Sequence, residues 1–515
     1  TSRGLGDVYK RQLLALFVLA TAVSGCGNSG SSSADSQSGS SATSENSAST
    51  EDTASTDGEV PTISLMVVCG TTPPDADAVA EKLSEITREK IGCNVEFITM
   101  EIGNVAQQLN LLLSGGDDTL DVFMAGISVP YSTIVNNGQA LSLDTLMEPY
   151  AEEVKTALGE KVYESGRVNG ELYGIGRLLD QASTTCYNLR RDIAEEFGYK
   201  NGDKVDLAEL TELFGKVREK YPDTPLIGPM NGVPSIGDSR IDSLGNKLGV
   251  LDNYGQDTTV TNYYESAGYE ELVGYFKQWK EMGCYMADIL NVTDAPIDYI
   301  PSGKAFGCFA SHFSAEMNGI WSSQNFGTDI ASLQIYEDAV AITPGAYECI
   351  NPATKNPEAA AALIYLMATD PDVENLLING IEGQHYQVLE DNTATYVDGK
   401  DISTTGWCLG YSWTALNSTI SIPFEYPADY YDRMLAANKN AQQSKAFGCQ
   451  FDLTGVSDAV SACTNVVNQY ENALSGGAVE DFDATLAQFQ QGLRDAGIDE
   501  IVAAKQEQLD AFLAG

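Results

Sequence analysis

Histidine and positive charge are the scarcest features of this 515-residue sequence. It contains 2 histidines, His312 and His385, and only 29 lysines and arginines against 73 aspartates and glutamates, a formal net charge of −44. A field of one sign repels polyanions, which argues against nucleic-acid binding and against attachment of the body to an anionic membrane by charge. The simplest interpretation of the large negative charge is that it keeps the protein soluble. Two histidines also give little support to a histidine-rich metal site or a Ser/His/Asp catalytic site.

Several catalytic and redox motifs are also missing. The sequence has no CxxC, GxSxG, HExxH or P-loop pattern. Beyond Cys26 there are nine cysteines, an odd number, and several lie in apolar runs. We therefore expect most of these nine to be buried thiols, while one or two disulfides remain possible.

A continuous apolar run near the start has the length of a signal-peptide core. It spans Leu13 to Ala22 and is followed by Val23-Ser24-Gly25-Cys26, which resembles the lipobox of bacterial lipoproteins. We interpret residues 13–25 as a signal peptide and Cys26 as the lipidated residue; the alternative is an ordinary signal peptide with an incidental cysteine. Residues 1–12 read like a translated sequencing adapter, so we set them aside as an artefact.

Residues 26–59 are predicted to be a tether. After Cys26 the segment is rich in serine and acidic residues and contains no apolar residue larger than alanine, so it cannot bury a core. A lipidated cysteine before such a tether predicts an extracytoplasmic protein that acyl chains anchor to the cell membrane.

The folded body begins at Val60 with a strand–helix–strand–helix–strand pattern. ISLMVV is an apolar run, Asp75 to Ile91 has helical spacing, CNVEFITM alternates as a strand, Val105 to Leu113 is helical, and LDVFMAG ends in glycine. This order is typical of a doubly wound α/β unit whose ligand crevice lies beyond the carboxyl ends of the strands.

The stretch from Leu172 to Lys200 organises the rest of the chain. It reads as a strand ending in Gly174 and Gly176, a polar turn from Asp180 to Thr184, a second strand and a helix. We interpret it as a hinge crossing between two lobes, with a return crossing near Val340 to Ile350. The predicted boundaries after the tether are lobe 1 at 60–183, lobe 2 at 184–340, a return to lobe 1 at 341–410, and a C-terminal helical region packing on lobe 2 at 411–515. Residues 228–264 are expected to form surface loops over the cleft.

The order of these segments resembles a known family. The lipobox, the serine-rich tether, DVFMAG, ALSLDTLMEPYA, LYGIGRLL, YNLRRDIAEEFG and NPEAAAALIYLMATDPDVENLLINGIEGQHY are similar to the extracellular solute-binding proteins of family 1, the receptor lipoproteins of ABC importers. Residues 413–514 resemble the helical extension of one lipoprotein subgroup, a domain of unknown function. The resemblance covers nearly the whole chain after the tether.

The resemblance implies a fold and a function. The expected fold class is α/β and periplasmic-binding-protein-like: two doubly wound lobes joined by a hinge, with a helical C-terminal extension. The expected function is capture of a small solute in the cleft, most simply a mono- or oligosaccharide, and delivery to the transmembrane subunits of an ABC permease. The expected protein is a monomer, not an enzyme, and it uses neither cofactor nor metal.

Candidate ligand-binding residues are aromatic and polar side chains in predicted loops, because sugars stack on rings and pair their hydroxyls with polar groups. Each candidate also has a structural alternative. The aromatic side chains could pack inside the protein, and Arg177 could form a structural ion pair with Asp180. Glu382, with His385, could order a turn. Trp279, at helical spacing with Tyr275, is assigned to the core. The candidates are Tyr173, Arg177, Asp180, Trp321, Trp407, Tyr411, Trp413 and Glu382.

Three alternatives remain open from the sequence. The same receptor could bind a peptide or another polar metabolite. A secreted glycoside hydrolase needs two facing carboxylates, but among 73 acidic residues such a pair has no specificity. A surface adhesin or scaffold would explain the tether and the aromatic content but not the two-lobe order.

Overall fold

A computed structural model describes residues 60–115, 119–230, 236–336, 339–407 and 414–514. The predicted signal peptide, Cys26 and the tether lie outside the described residues. The strands are β1 Thr62–Cys69, β2 Asn94–Glu101, β3 Val122–Ala125, β4 Arg167–Val168, β5 Glu171–Leu172, β6 Gly174–Gly176, β7 Ala182–Arg190, β8 Val250–Leu251, β9 Val260–Thr261, β10 Gly307–His312, β11 Ile330–Gln334, β12 Val340–Ala341, β13 Tyr347–Ile350, β14 Tyr386–Val388, β15 Ala394–Tyr396 and β16 Gln442–Gln443.

Several helices begin at a polar side chain that accepts a backbone N–H of the first turn, as Asp206, Ser266 and Asp481 do. The helices are α1 Ala76–Lys90, α2 Val105–Ser114, α3 Tyr131–Asn136, α4 Asp144–Met147, α5 Ala151–Leu158, α6 Glu160–Glu164, α7 Arg191–Glu196, α8 Leu207–Lys220, α9 Ala267–Glu281, α10 Pro296–Tyr299, α11 Ala315–Phe326, α12 Pro357–Thr369, α13 Pro371–Asn379, α14 Tyr430–Asn440, α15 Ser457–Ser475, α16 Phe482–Asp495 and α17 Ile498–Ala514.

Lobe 1 is built on a five-stranded sheet in the order β2-β1-β3-β13-β6. β1 pairs in parallel with β2 and β3, whereas β13 runs antiparallel to β3 and β6. Alternate residues of β1 enter two different cores: Ile63 and Leu65 pack with α1 and α12, and Met66 packs with α2 and α3. Helices therefore cover both faces of the sheet, which explains the continuous apolar run and confirms the doubly wound prediction.

Lobe 2 is organised around β7. Its sheet has the order β10-β7-β12-β16, and β11 also pairs with β7. β10 lies on one side of β7, while β11 and β12 share the other side, all antiparallel to it. Trp279 of α9 is 0% exposed and its Nε1 donates to Thr211 Oγ1 at 2.8 Å, so its assignment to the core is confirmed.

Within the described residues, three segments cross between the lobes. The first joins β6 of lobe 1 to β7 of lobe 2, and the second joins β12 to β13. The third contains residues 414–430: Leu178 N donates to Leu416 O beside lobe 1, and α14 then packs on Phe313 and Met317 of lobe 2. Three crossings form a hinge about which two lobes can rotate.

The last three helices pack against lobe 2. Phe482, Phe489, Ile498 and Ile501 enter the same core as Trp279. Residues 244–260 contact the last helix as well, because Lys505 Nζ donates to Leu244 O and Gln506 Nε2 donates to Thr258 O. The expectation that residues 228–264 lie over the cleft is therefore wrong for this part of the segment, which forms the joint with the C-terminal helices.

The cysteines in the described part of the chain are free and buried, as most were expected to be. They are Cys69, Cys93, Cys186, Cys284, Cys308, Cys349, Cys449 and Cys463.

Candidate functional site

The lobe 1 rim of the cleft is formed where its sheet ends near the hinge. Ala125 at the end of β3 and Gly176 at the end of β6 both pair with Tyr347. Gly126 follows with a φ of +107°, and a Cβ there would lie 2.0 Å from Gly345 O. Only glycine allows this close approach of two rim loops.

The lobe 2 rim is formed by the ends of three neighbouring strands. His312 of β10 pairs with Thr184 of β7, and Ile335 N donates to Thr185 O, which places Tyr336 beside the same end of β7. Thr184 is 2% exposed, and its hydroxyl has no hydrogen-bond partner within the described residues.

An aromatic cluster stands beside this rim and consists of His312, Phe313, Tyr426 and Tyr430. The rings of Tyr426 and Tyr430 stack at 4.0 Å and 18°. The Tyr430 ring meets Phe313 edge-on at 5.2 Å, and its centroid lies 6.4 Å from that of His312. Tyr430 is half-buried, so part of it remains accessible between the lobes.

The hinge turn connects the aromatic cluster to both lobes. Asn438 Nδ2 donates to Leu179 O at 2.7 Å, and Ala182 N donates to Asn438 Oδ1 at 3.0 Å. These bonds fix α14, which carries Tyr430, against the turn that carries Asp180. Residues distant in sequence are thereby held together at the point where the chain crosses between the lobes.

Two titratable groups face this space. The Asp180 side chain is accessible to solvent, yet the surrounding protein raises its pKa to about 6 by desolvation. Burial is the main cause that raises the pKa of Tyr430, and the charge of Asp180 raises it further. Burial lowers the pKa of His312 to about 4, so at neutral pH the imidazole is uncharged and Asp180 is mostly ionised.

A buried polar cluster lies beneath the hinge and consists of Arg177, Glu348 and Glu374. Arg177 is 3% exposed and its Nε donates to Ala415 O at 2.6 Å. Glu374 Oε1 accepts Leu416 N at 2.9 Å, whereas neither carboxyl oxygen of Glu348 has a hydrogen-bond partner within the described ranges. The cluster holds the third crossing segment against the first.

Burial governs the charges of this cluster. It raises the pKa of both Glu348 and Glu374 to about 8, with Arg177 acting in the opposite direction, and it lowers the pKa of Arg177 to about 10. One guanidinium faces two carboxyls, and Glu374 receives backbone N–H groups, so Glu348 is the carboxyl that stays protonated.

Among the predicted ligand residues, the structure places Asp180 at the cleft but turns Arg177 inward. No ion pair joins Arg177 to Asp180 in the described part of the chain, where Arg177 is instead influenced by Glu348 and Glu374. Tyr173 precedes β6 at the end of the sheet opposite the rim, and its hydroxyl donates to Glu171 Oε2 at 2.7 Å. A ligand role for Tyr173 or Arg177 therefore has no geometric support here.

Trp407 and Trp321 pack in other clusters of side chains than the aromatic cluster. Trp407 is 1% exposed, stacks on Phe97 at 5.6 Å, and donates from Nε1 to Leu377 O. Trp321, on α11, is half-buried and meets Phe326 at 5.9 Å. Tyr411 and Trp413 lie outside the described residues, between Trp407 and the buried Thr414, so their ligand roles stay predictions.

Glu382 lies exposed in a turn that His385 orders. Ile381 N donates to His385 Nδ1 at 2.8 Å, and His385 Nε2 donates to Asp75 Oδ2 at 3.0 Å. This bond lowers the pKa of Asp75, whereas burial lowers that of His385. The ordering role assigned to His385 is confirmed, and a ligand contact by Glu382 stays a prediction.

Sequence reasoning did not select Phe313, Tyr426 or Tyr430. A signal was present, because the segment FEYPADYY at 424–431 has four aromatic residues in eight positions. The packing of this segment on Phe313 and Met317 depends on tertiary contacts that no local pattern reveals.

Neither a metal-binding cluster nor a membrane-spanning helix occurs within the described residues. No group of three histidine, cysteine or acidic side chains within them is arranged to hold a metal ion. None of their helices combines the length and apolarity needed to cross a membrane.

The family comparison concerns the C-terminal end. Residues 445–514 match the family described as "Domain of unknown function (DUF3502)". This range contains α15, α16 and α17.

The chain is also similar to a whole protein. It is 23% identical, over 470 residues, to a carbohydrate ABC transporter substrate-binding protein of Streptococcus pneumoniae serotype 4, and the alignment covers 88% of this chain and 92% of the relative. This relative is a binding protein rather than an enzyme.

Solved structures share the fold. The N-glycan transport solute-binding protein NgtS of Streptococcus pneumoniae superposes with a TM-score of 0.73 at 20% identity, covering 88% of this chain and 99% of NgtS. NgtS has also been crystallised with Man5GlcNAc. A solute-binding protein of Bifidobacterium longum infantis that binds HMO superposes with a TM-score of 0.61 at 15% identity, covering 88% of this chain and 99% of its own. The chain thus has the two-lobed fold of solute-binding proteins.

Proposed function

We propose that this chain is the extracytoplasmic receptor of an ABC importer and that it captures a mono- or oligosaccharide in the cleft between its lobes. The observation that carries the proposal is the aromatic cluster, which stands at the hinge beside the polar side chain of Asp180. A pyranose presents an apolar face that stacks on a tyrosine ring and hydroxyls that pair with such polar groups. The cleft therefore supplies both parts of saccharide recognition.

The comparisons support the same ligand class. The curated relative is a carbohydrate substrate-binding protein, and NgtS binds Man1GlcNAc and Man5GlcNAc in crystals. Because the likeness extends over most of each chain, it includes both lobes and the hinge on which capture depends.

The membrane arrangement is proposed from the sequence. The lipobox at Cys26 and the tether up to residue 59 would hold the receptor at the outer face of the cell membrane, near the permease subunits to which it delivers the solute. We propose that it works there as a monomer.

Calorimetric titration and product analysis of the soluble body, residues 60–515, test this function. The panel contains Man5GlcNAc, lacto-N-tetraose, maltotriose, a tripeptide and single amino acids. Saturable binding of a saccharide that mass spectrometry recovers intact is the expected result. Binding of the peptide alone would overturn the saccharide assignment, and recovery of cleaved sugar would overturn the receptor function.

A further inference from the structure

The charge of the cleft narrows the class of saccharide that the proposed receptor would bind. Asp180 is the charged side chain that the hinge turn presents to solvent, and no salt bridge engages it within the described residues. Asn438 of α14 bonds to Leu179 O and to Ala182 N on either side of it, which holds the turn against α14, and desolvation raises the Asp180 pKa to about 6. A carboxylate without an ion-pair partner takes hydrogen-bond donors from whatever enters the cleft.

The groups around Asp180 supply no compensating positive charge. His312 is neutral because burial lowers its pKa to about 4, and Tyr430 offers only a hydroxyl. These groups are arranged to exchange hydrogen bonds with a polyol rather than to bind an anion.

The arginines that flank the rims are engaged elsewhere. Arg177 points inward and donates to a backbone carbonyl. Arg240 lies over the Tyr336 ring and forms ion pairs with acidic residues, and Arg433 forms ion pairs with acidic residues on the surface of α14. Their partners are Ala415, Asp238, Glu271, Glu316 and Asp429. None of these guanidiniums is free to meet an anionic ligand.

The sequence between the described residues adds no cation either. The internal segments 116–118, 231–235, 337–338 and 408–413 read GDD, NGVPS, ED and CLGYSW, with four acidic residues and no lysine or arginine.

We propose that the cleft selects neutral saccharides and rejects acidic ones, with Asp180 as the residue that determines this specificity. This inference rests on the proposed function. The Asp180 carboxylate accepts hydroxyl donors of a neutral sugar, whereas a phosphate or carboxylate on the sugar meets it as a like charge in the cleft. Like charges a few ångström apart in such surroundings weaken binding by at least about tenfold.

Matched pairs of glycans test the inference. The probes are Man5GlcNAc with and without one mannose 6-phosphate, and lacto-N-tetraose with and without one sialic acid. We expect the wild type to bind the neutral member of a pair at least about tenfold more tightly. We expect Asp180→Asn to bind the neutral member less tightly, because an amide accepts fewer hydroxyls, and to lose most of the discrimination.

Asp223→Asn is the matched control. Asp223 is exposed and lies just before Leu226, which bonds to Cys284 near the end of lobe 2 opposite the rim. This variant is expected to bind both members of each glycan pair with the affinities of the wild type. Equal or tighter binding of the acidic member, or full discrimination by Asp180→Asn, overturns the inference and leaves the proposed function standing. Failure of every saccharide to bind overturns both.

Discussion

Tyr430 shows how a single side chain can serve both the hinge and the ligand. Its ring stacks on Tyr426 and touches Phe313, and it remains half-exposed beside Asp180. Removing the ring by Tyr430→Ala should weaken saccharide binding by about tenfold, because one stacking surface is lost. Tyr430→Phe keeps the ring and should stay within about threefold of the wild type. Calorimetric titration with the saccharide found in the panel measures both.

A second stacked pair provides the control for this prediction. Tyr365 stacks on Tyr150 at 4.6 Å on the helices of lobe 1, away from the hinge. Tyr365→Ala should therefore reduce stability without changing affinity. Equal losses of affinity in Tyr365→Ala and Tyr430→Ala would mean that the effect comes from general loosening of the fold.

Glu348 links stability to pH at the scale of one carboxyl. Burial raises its pKa to about 8 from 4.5, so between pH 5 and pH 8 the folded state binds a proton that the unfolded state releases. The free energy of unfolding that Glu348 contributes therefore falls as the pH rises through this window. Glu348→Gln mimics the protonated form and should gain about 1–3 kcal/mol over the wild type between pH 5 and pH 8.

Urea unfolding at several pH values measures this difference. Glu281→Gln changes an exposed carboxyl at the end of α9, and its free energy of unfolding should depend on pH in the same way as that of the wild type. A constant offset between Glu348→Gln and the wild type at every pH would contradict the assignment of the neutral carboxyl to Glu348.

At the scale of elements, α17 is joined to lobe 2 by the buried amino group of Lys505. Lys505 is 0% exposed and donates to Leu244 O, Asn246 Oδ1 and Gly249 O at 3.0, 2.7 and 3.1 Å. Lys505→Met leaves these oxygens without a donor and should cost about 3 kcal/mol of unfolding free energy. Hydrogen exchange should then increase first in residues 242–251.

Lys277 crosses the same joint at the surface and is the matched control. Its Nζ lies 3.1 Å from Asp483 Oδ2, and both side chains are largely exposed. Lys277→Met should change stability by less than about 1 kcal/mol. If both variants lost the same stability, the buried contacts of Lys505 would not be what holds the joint.

Element patterns explain which parts of the fold could be predicted from the sequence. The order of β1 to β3 with α1 and α2 followed from apolar periodicity, because each element buries a face against its neighbours in the chain. The third crossing at 414–430 had no such signal and was assigned to the C-terminal helical region. Its position depends on Leu178 and Phe313, which come from other parts of the chain.

The same distinction holds for the site. Asp180 was selected because a polar turn between two strands indicates a hinge, a local feature. Arg177 was selected for the same reason, but its environment is set by Glu348 and Glu374, which approach from distant segments. The polarity of a side chain in the sequence does not show whether it points to the cleft or into the lobe.

At the scale of the whole molecule, the proposed function requires a ligand that touches the rims of both lobes. Three crossings let the lobes approach each other without a change in either core. Bound saccharide should accordingly stabilise the protein by mass action, with a melting temperature that rises with ligand concentration.

A crystal structure of the soluble body with the saccharide that binds most tightly tests the central claim most directly. The account predicts a sugar ring stacked on Tyr430, a hydroxyl bonded to Asp180, and contacts from both lobes. The joint between lobe 2 and the C-terminal helices contains a cavity of about 270 Å³, which Tyr285 and Gly477 line. Saccharide bound in that cavity, with the cleft empty, would contradict the account.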